Sequence, residues 1–366
     1  MTVYILLVVF LLAASLLLHG NERHNKKFII VAFILLFIVM GLRDVYAFGS
    51  DASGSYGSYP VIFRRTGRTA WGALSGKGEN NYNIAFVVIT KLLFEITGGD
   101  YQLYITIISL FVVASYMRFI YKYSTSPIVS IICFMGLLYY TMLFDVLKQA
   151  LALSVLLFAF DAVVERRPYK FLILTLIASM FHFPALIFLP AYWIGRMKVG
   201  RNYILLLTIV MVLTFLFRNQ LLNLMLRTYS GGSGGASMSG IRFLRSKVLI
   251  MIAIVVMAIV IRPPSPGDSV YNSLLLFAGV AIVFQTFCGY NNIFERLADY
   301  YFHTSIILIP YIFERGLKYE SNVQVAQNER MLSYATVIIC AFSIWRFLSF
   351  VNSAWYFQSY RFFWQR

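Results

Sequence analysis

Acidic residues are scarce in this chain: 15 aspartates and glutamates stand against 31 lysines and arginines, for a formal net charge of +16. Charge of either sign is scarce as well, at 13% of 366 residues, while 60% are hydrophobic. A soluble domain carries about a quarter charged residues, so this surface is not built mainly for water. Cysteine is nearly absent. Cys133, Cys288 and Cys340 lie far apart within or beside apolar runs, with no CxxC pair, which leaves a disulfide framework or cysteine zinc site without support. His19, His24, His182 and His303 also lack metal-ligand spacing, so neither a metal nor a cofactor is expected. No GxxxxGKS/T or GxGxxG loop occurs, and nothing points to nucleotide hydrolysis or to a nucleic-acid partner.

What is present is apolar length, with a mean hydropathy of +0.75. A hydrocarbon core of about 30 Å needs roughly 20 apolar residues per helix, fewer where a segment is re-entrant. Such runs fall near 3–19, 28–42, 102–121, 127–143, 146–164, 170–194, 203–226, 247–261, 269–288, 300–314 and 331–350. The first has no preceding cations and no clear cleavage site, which reads as a retained helix. Segment 83–97 is short and interrupted by Lys91 and Glu95, the pattern of an interfacial or re-entrant helix. The run 170–194 holds His182, Pro184 and Pro190, and is either one kinked helix or two short ones meeting near His182. The expected fold is therefore all-α: one integral membrane domain over residues 1–366, a polytopic helix bundle of about 11–12 membrane segments, some broken or re-entrant.

Orientation follows from the cations of short links. Arg23, Lys26 and Lys27, then Arg166, Arg167 and Lys170, then Arg196, Lys198 and Arg201, and the link 315–330 with Arg315, Lys318 and Arg330 are placed in the cytoplasm. Both termini then lie outside, together with the long loop 43–82, segments 144–149 and 289–299, and the glycine-rich link 227–246, which is expected to be mobile. These outer segments carry Arg43, Arg64, Arg65, Arg68, Lys148, Arg242, Arg245, Lys247 and Arg296, cations that topology does not require. Anionic headgroups would account for some of them. For the set, a lipid-linked phosphate is the better explanation, because guanidinium forks bind phosphate oxygens bidentately.

Ionisable residues at membrane depth are costly and usually face a cavity. Asp145 and Lys148 are spaced to pair on one helix face, while Lys148 beside Gln149 at a helix start could instead present donors to phosphate. His182 precedes Pro184, which breaks the backbone ladder where a cavity would tolerate it. Glu295, Asp299 and His303, or Arg296 and Asp299, share faces if their stretch is helical, and salt-bridging within it is the plainer reading of Glu295. Trp71 and Tyr59 could stack on sugar rings or anchor at the interface.

The order of these motifs resembles the EpsG family of Wzy-type polysaccharide polymerases. The resemblance is carried by Gly41-Leu42-Arg43, Gly49-Ser50-Asp51, Glu79, Leu147-Lys148-Gln149-Ala150, Ser179-Met180-Phe181-His182-Phe183-Pro184 and Arg296-Leu297-Ala298-Asp299. The stretch around His182 is the most specific. Where the family commonly has Arg-Gln, this chain has Lys148-Gln149.

The resemblance implies polymerisation of undecaprenyl-diphosphate-linked oligosaccharide repeat units by metal-independent glycosyl transfer, at the outer face of a bacterial plasma membrane. Donor and acceptor are both lipid-linked, and a chain-length regulator and a flippase are partners implied by the family alone. Arg43, Lys148, Gln149, Arg242, Arg245 and Arg296 are the expected diphosphate contacts. His182 is the first candidate base, followed by Asp51 and Glu79. An O-antigen-ligase-like transferase would use the same outer cations. A secondary transporter of an anionic solute usually shows internal repeats, and no repeat relates the two halves here.

Cysteines introduced at Asp51, Lys148, His182 and Arg296 are expected to react with a membrane-impermeant maleimide in intact cells. Labelling that requires permeabilisation would put these positions in the cytoplasm.

Overall fold

The structure is a computed structural model, describing residues 1–18, 22–46, 58–74, 83–199, 203–230, 246–261, 268–290, 293–316 and 324–365. Its described residues are helical, apart from turns, links and one isolated antiparallel bridge between Arg43 and Phe362. In chain order, the first helices are α1 (Thr2–Leu17), α2 (Glu22–Gly41), α3 (Ser58–Arg68), α4 (Ile84–Ile96), α5 (Tyr101–Tyr123) and α6 (Pro127–Gly136). Then come α7 (Tyr139–Met142), α8 (Leu147–Val164), α9 (Pro168–Phe181), α10 (Ala191–Ile194), α11 (Tyr203–Leu216) and α12 (Arg218–Ser230). The last are α13 (Ser246–Ile261), α14 (Ser269–Gln285), α15 (Ile293–Phe302), α16 (Ser305–Gly316), α17 (Gln324–Ser353) and α18 (Trp355–Gln358).

The chain is an all-α polytopic membrane bundle. Among the described residues, four helices are long and apolar enough to cross a bilayer: Tyr101–Tyr123, Leu147–Val164, Ser269–Gly289 and Ser333–Ser353. Shorter apolar helices accompany them, including Thr2–Leu17, Pro127–Gly136, Pro168–Phe181 and Lys247–Ile261. Burial sorts these spans. The apolar window of α8 is 83% buried, so it is wrapped by protein, whereas that of α17 is only 17% buried. On α17 the side chains of Val337, Ile338, Phe342 and Trp345 point outward, a face that acyl chains solvate without cost.

Local chemistry explains the boundaries. Gly98 and Gly99, at φ +62° and +81°, end α4, and Gly99 N–H returns to Phe94 O at 2.9 Å. Asp100 then caps α5, its carboxylate accepting from the N–H groups of Gln102 and Leu103 at 2.7 and 3.2 Å. Pro127 opens α6, where its missing N–H costs nothing. α9 stops at Phe181, and after His182 the chain passes into a 3₁₀ turn over Phe183–Phe188. The alternative of two short helices meeting at His182 is thus the one adopted.

Several expectations are corrected. The loop 43–82 contains α3 and a 3₁₀ turn at Trp71–Ala73. The run 127–143 is two helices, separated by Leu138 in a left-handed conformation. The run 203–226 bends by 79° between α11 and α12, where the composition changes from apolar to RNQLLN. Helix α12 continues to Ser230, inside the link expected at 227–246; residues 231–245 lie outside the described residues. The link 315–330 is helical again from Gln324. Asp145 sits in the turn before α8 rather than on one helix face with Lys148.

The chain forms two compact units: residues 1–160, 172–186 and 319–366 make the first, residues 161–171 and 187–318 the second. In the first unit α2 packs on α5, α3 on α4, and α6 on α17. The α6–α17 crossing is close because Gly136 has no side chain: a Cβ there would fall 2.3 Å from Ser343 Cβ and 2.6 Å from its Cα. Arg346, one turn on from Ser343, donates to the Gly136 carbonyl. In the second unit α14, α15 and α16 form the packed centre, with α13 against α14 and α16.

Gly136→Val is expected to destabilise the first unit by about 1–3 kcal/mol, because the neighbour is backbone and cannot give way. Thermal unfolding of the detergent-solubilised protein, compared with Gly136→Ala as the milder change, measures it.

Candidate functional site

Arg43 stands two residues past the end of α2 and is 1% exposed. Its guanidinium donates to the carbonyls of Met40 and Phe144, the latter at 2.7 Å, and stacks 4.9 Å from the Phe144 ring centroid. Burial draws its pKa below the usual arginine range, and the neighbouring Tyr101 and Tyr360 hydroxyls and Asp145 oppose that shift. Around it the links of the first unit are stitched together. Gln102 donates to Arg43 O at 2.9 Å and accepts from Val45 N–H at 3.3 Å. Asp44 N–H donates to Arg361 O, and Phe363 N–H to Leu42 O. The Asp44 carboxylate, 0% exposed, holds Arg361 Nε at 2.8 Å and also accepts from Tyr46 N–H. Segments 42–46, 144–148 and the C-terminal tail therefore meet at one end of this unit. All three belong to the stretches expected outside once the cation-rich links are assigned to the cytoplasm. Arg43 itself is an interior latch there.

Beside the latch lies a more open group of side chains. The Tyr59 hydroxyl sits 3.4 Å from the backbone N–H of Lys148, in the first turn of α8, and accepts from it. Tyr59 also meets Phe86 edge to face at 5.9 Å, and Lys148 Nζ lies 5.3 Å from the centre of the same Phe86 ring. Phe86 belongs to the first turn of α4. The residue that starts α4, Asn83, does not cap it; its side-chain oxygen instead accepts from Phe183 N–H at 3.3 Å. Phe183 is the neighbour of His182. The first turn of α4 thus joins the two sequence stretches expected to act, the one at Lys148 and the one at His182. Lys148, Asn83 and His182 are all part-exposed, while Gln149 is buried.

Two helix N-termini, of α4 and α8, meet in this group. First-turn N–H groups have no partner within their own helix and carry partial positive charge, which makes them ready anion donors. With the Lys148 ammonium beside them, the arrangement suits an anionic ligand. Asn83 and Phe86 are site members that the residue patterns did not single out. A helix-capping residue type directly before an apolar run was the available signal for Asn83; Phe86 had none.

Next to this group, Lys91 is buried at the junction of α3 and α4. It donates to Gly67 O at 2.7 Å and pairs with Glu95 at 3.0 Å. Glu95 in turn accepts from the Trp71 indole N–H at 2.9 Å. The Trp71 ring remains 48% exposed.

In the second unit the expected cluster is helical, as α15. Its two carboxylates share Lys247, from the start of α13: Nζ lies 2.7 Å from Glu295 and 3.1 Å from Asp299. This is a correction, since the partner of Glu295 comes from another helix rather than from its own stretch. His303 Nδ1 contacts Asp299 O at 2.9 Å, and Arg296 is exposed on the outer side of α15. Asp51, Glu79, Arg242 and Arg245 lie outside the described residues. Among the described residues no group of three histidine, cysteine or carboxylate side chains could hold a metal.

Residues 26–362 match the EpsG family, nearly the whole chain. The chain belongs to the EpsG family. No curated protein and no solved structure matches it. Membership gives this EpsG protein a role of polysaccharide-polymerase type, carried out by a membrane protein of polysaccharide biosynthesis. Of the family-like stretches, those at Arg43, Lys148 and His182 lie in the first unit of the EpsG fold, and that at Arg296–Asp299 in the second.

Lys247→Ala is expected to cost about 3 kcal/mol or more, because it leaves the nearly fully buried Asp299 without the ammonium it faces. Combining Lys247→Met with Glu295→Gln and Asp299→Asn is expected to recover most of that loss. Melting temperatures of the three proteins in one detergent provide the comparison.

Proposed function

We propose that this protein joins undecaprenyl-diphosphate-linked oligosaccharide repeat units at the outer face of the bacterial plasma membrane. An acceptor hydroxyl on one lipid-linked repeat attacks the anomeric carbon of the growing chain. The bond from that carbon to the diphosphate oxygen breaks, the hydroxyl proton passes to a base, and undecaprenyl diphosphate leaves. A diphosphate develops negative charge as it departs, and preorganised donors are the means of stabilising it.

Membership of the EpsG family supports the reaction class. The observation that carries the assignment of residues is the meeting of Lys148, the starts of α4 and α8, and the His182 stretch around Phe86 and Asn83. In this reading Lys148 and the first-turn N–H groups hold the leaving diphosphate, with Gln149 behind them. His182 takes the acceptor proton, with Asp51 and Glu79 as the next candidates. Tyr59 and Trp71 offer ring faces to sugars. Arg242, Arg245 and Arg296 are further phosphate contacts. Arg43, buried against two carbonyls, serves by fixing the end of α2 against the segment that leads into α8. A chain-length regulator and a flippase remain the proposed partners.

The test is polymer length, in cells lacking the native gene product and in vitro with lipid-linked repeats. His182→Ala is expected to lower the rate roughly 10²–10⁴-fold at normal protein level, the usual contribution of a positioned base. Lys148→Ala should lower it about 10²-fold, and Lys148→Arg should restore most of it. An undiminished ladder from His182→Ala removes that residue from the mechanism. A product with one transferred unit and no ladder rejects the polymerase reading in favour of a ligase.

A further inference from the structure

An asparagine directly before an apolar helix ordinarily caps it, its side-chain oxygen taking a first-turn N–H. Asn83 holds that position before α4 and makes no such bond. Its backbone carbonyl closes the first turn, accepting from Val87 N–H at 3.1 Å. Its side-chain oxygen turns away and accepts from Phe183 N–H at 3.3 Å, 100 residues distant. A local cap has been exchanged for a bond between two segments.

That bond falls where the backbone ladder breaks. Helix α9 ends at Phe181, and His182 N–H still donates with helical spacing to Ala178 O, at 3.0 Å. Pro184 has no N–H and cannot extend the ladder. The chain turns instead, with Ala185 N–H donating to His182 O at 2.9 Å. The Phe183 N–H lies between these two bonds and belongs to the same peptide as the His182 carbonyl. A side chain that holds this peptide restrains the backbone from which the part-exposed imidazole of His182 projects.

The post to which the peptide is tied is itself fixed. Lys91 of α4 donates to Gly67 O of α3 at 2.7 Å, and the Thr90 hydroxyl lies 3.0 Å from the Tyr104 hydroxyl of α5. Phe86, in the same first turn as Asn83, is buried and carries Lys148 Nζ 5.3 Å from its ring centre. One turn of one helix therefore borders the ammonium and holds the histidine's backbone.

We propose that Asn83 is a positioning residue: through the Phe183 N–H it sets His182 relative to Lys148 and the starts of α4 and α8. The same choice of partner leaves the first turn of α4 without a side-chain cap from Asn83, so its N–H groups face the anionic ligand. The inference rests on the polymerase reading, in which His182 takes the acceptor proton.

The experiment uses the full-length protein in nanodiscs with lipid-linked repeats. Asn83→Leu has nearly the shape of asparagine and no acceptor. It is expected to lower kcat about tenfold with KM little changed, because a misplaced base loses rate rather than binding. Asn83→Asp keeps the oxygen; it is expected to retain most of kcat and to raise KM, since its charge repels the diphosphate. Hydrogen exchange at the Phe183 amide, read without substrate, reports the bond itself and should quicken about tenfold in Asn83→Leu but not in Asn83→Asp. Asn83→Ala, equally without an acceptor, serves if the leucine variant does not fold. Unchanged exchange at Phe183 or unchanged kcat in Asn83→Leu overturns the proposal, and so does an equal loss of kcat in both variants. The polymerase reading fails by other signs, a single transferred unit or an intact ladder from His182→Ala, so the two failures are told apart.

Discussion

A bilayer core supplies no water to a polar group, so each charge buried among the spans has to be answered from within the chain. In the first unit that requirement is met at Arg43. Its guanidinium reaches back to Met40 and across to Phe144, while its backbone pairs with Phe362 and its carbonyl takes Gln102. The end of α2, the start of α5, the turn into α8 and the tail are thereby held to one another. Asp44, wholly buried, survives there because Arg361 comes to it from the far end of the chain. Removing Arg361 would strand a buried carboxylate, which is far more costly than never having buried it.

That latch gives the neighbouring group its geometry. Lys148 stands one turn past Phe144, so its ammonium is set by the same segment Arg43 holds. The α4 turn carrying Phe86 and Asn83 is placed by α5, through the glycine turn at Gly98–Gly99 and the Asp100 cap. Rigid elements on both sides leave the side chains between them part-exposed, the combination a site needs: fixed donors with access. The second unit answers the same constraint differently, with one lysine serving two carboxylates between α13 and α15.

The cation excess outside the expected cytoplasmic links thus divides into two populations. Arg43, Lys247 and Lys91 are consumed inside the fold by carbonyls or carboxylates. Arg64, Arg65 and Arg68 are exposed and form no ion pair among the described residues. A count of charges per segment treats both alike, and so credits a ligand with cations that are structural. Arg43 was grouped with the diphosphate contacts for that reason, and its burial gives it a supporting part.

Membrane location, helical class and family were legible in the sequence, because apolar run length and motif order depend on solvent and chain sequence alone. The break at His182 was legible too, since a proline two residues on cannot continue the backbone ladder. The neighbours of each charge were not. Lys247 is 48 residues from Glu295, Arg361 is 317 from Asp44, and Asn83 is 100 from Phe183. Such pairings are decided when helices pack and a desolvated charge takes the partner that packing brings, which no local pattern encodes. Residue types told where charge had to be answered; tertiary structure alone chose what answers it.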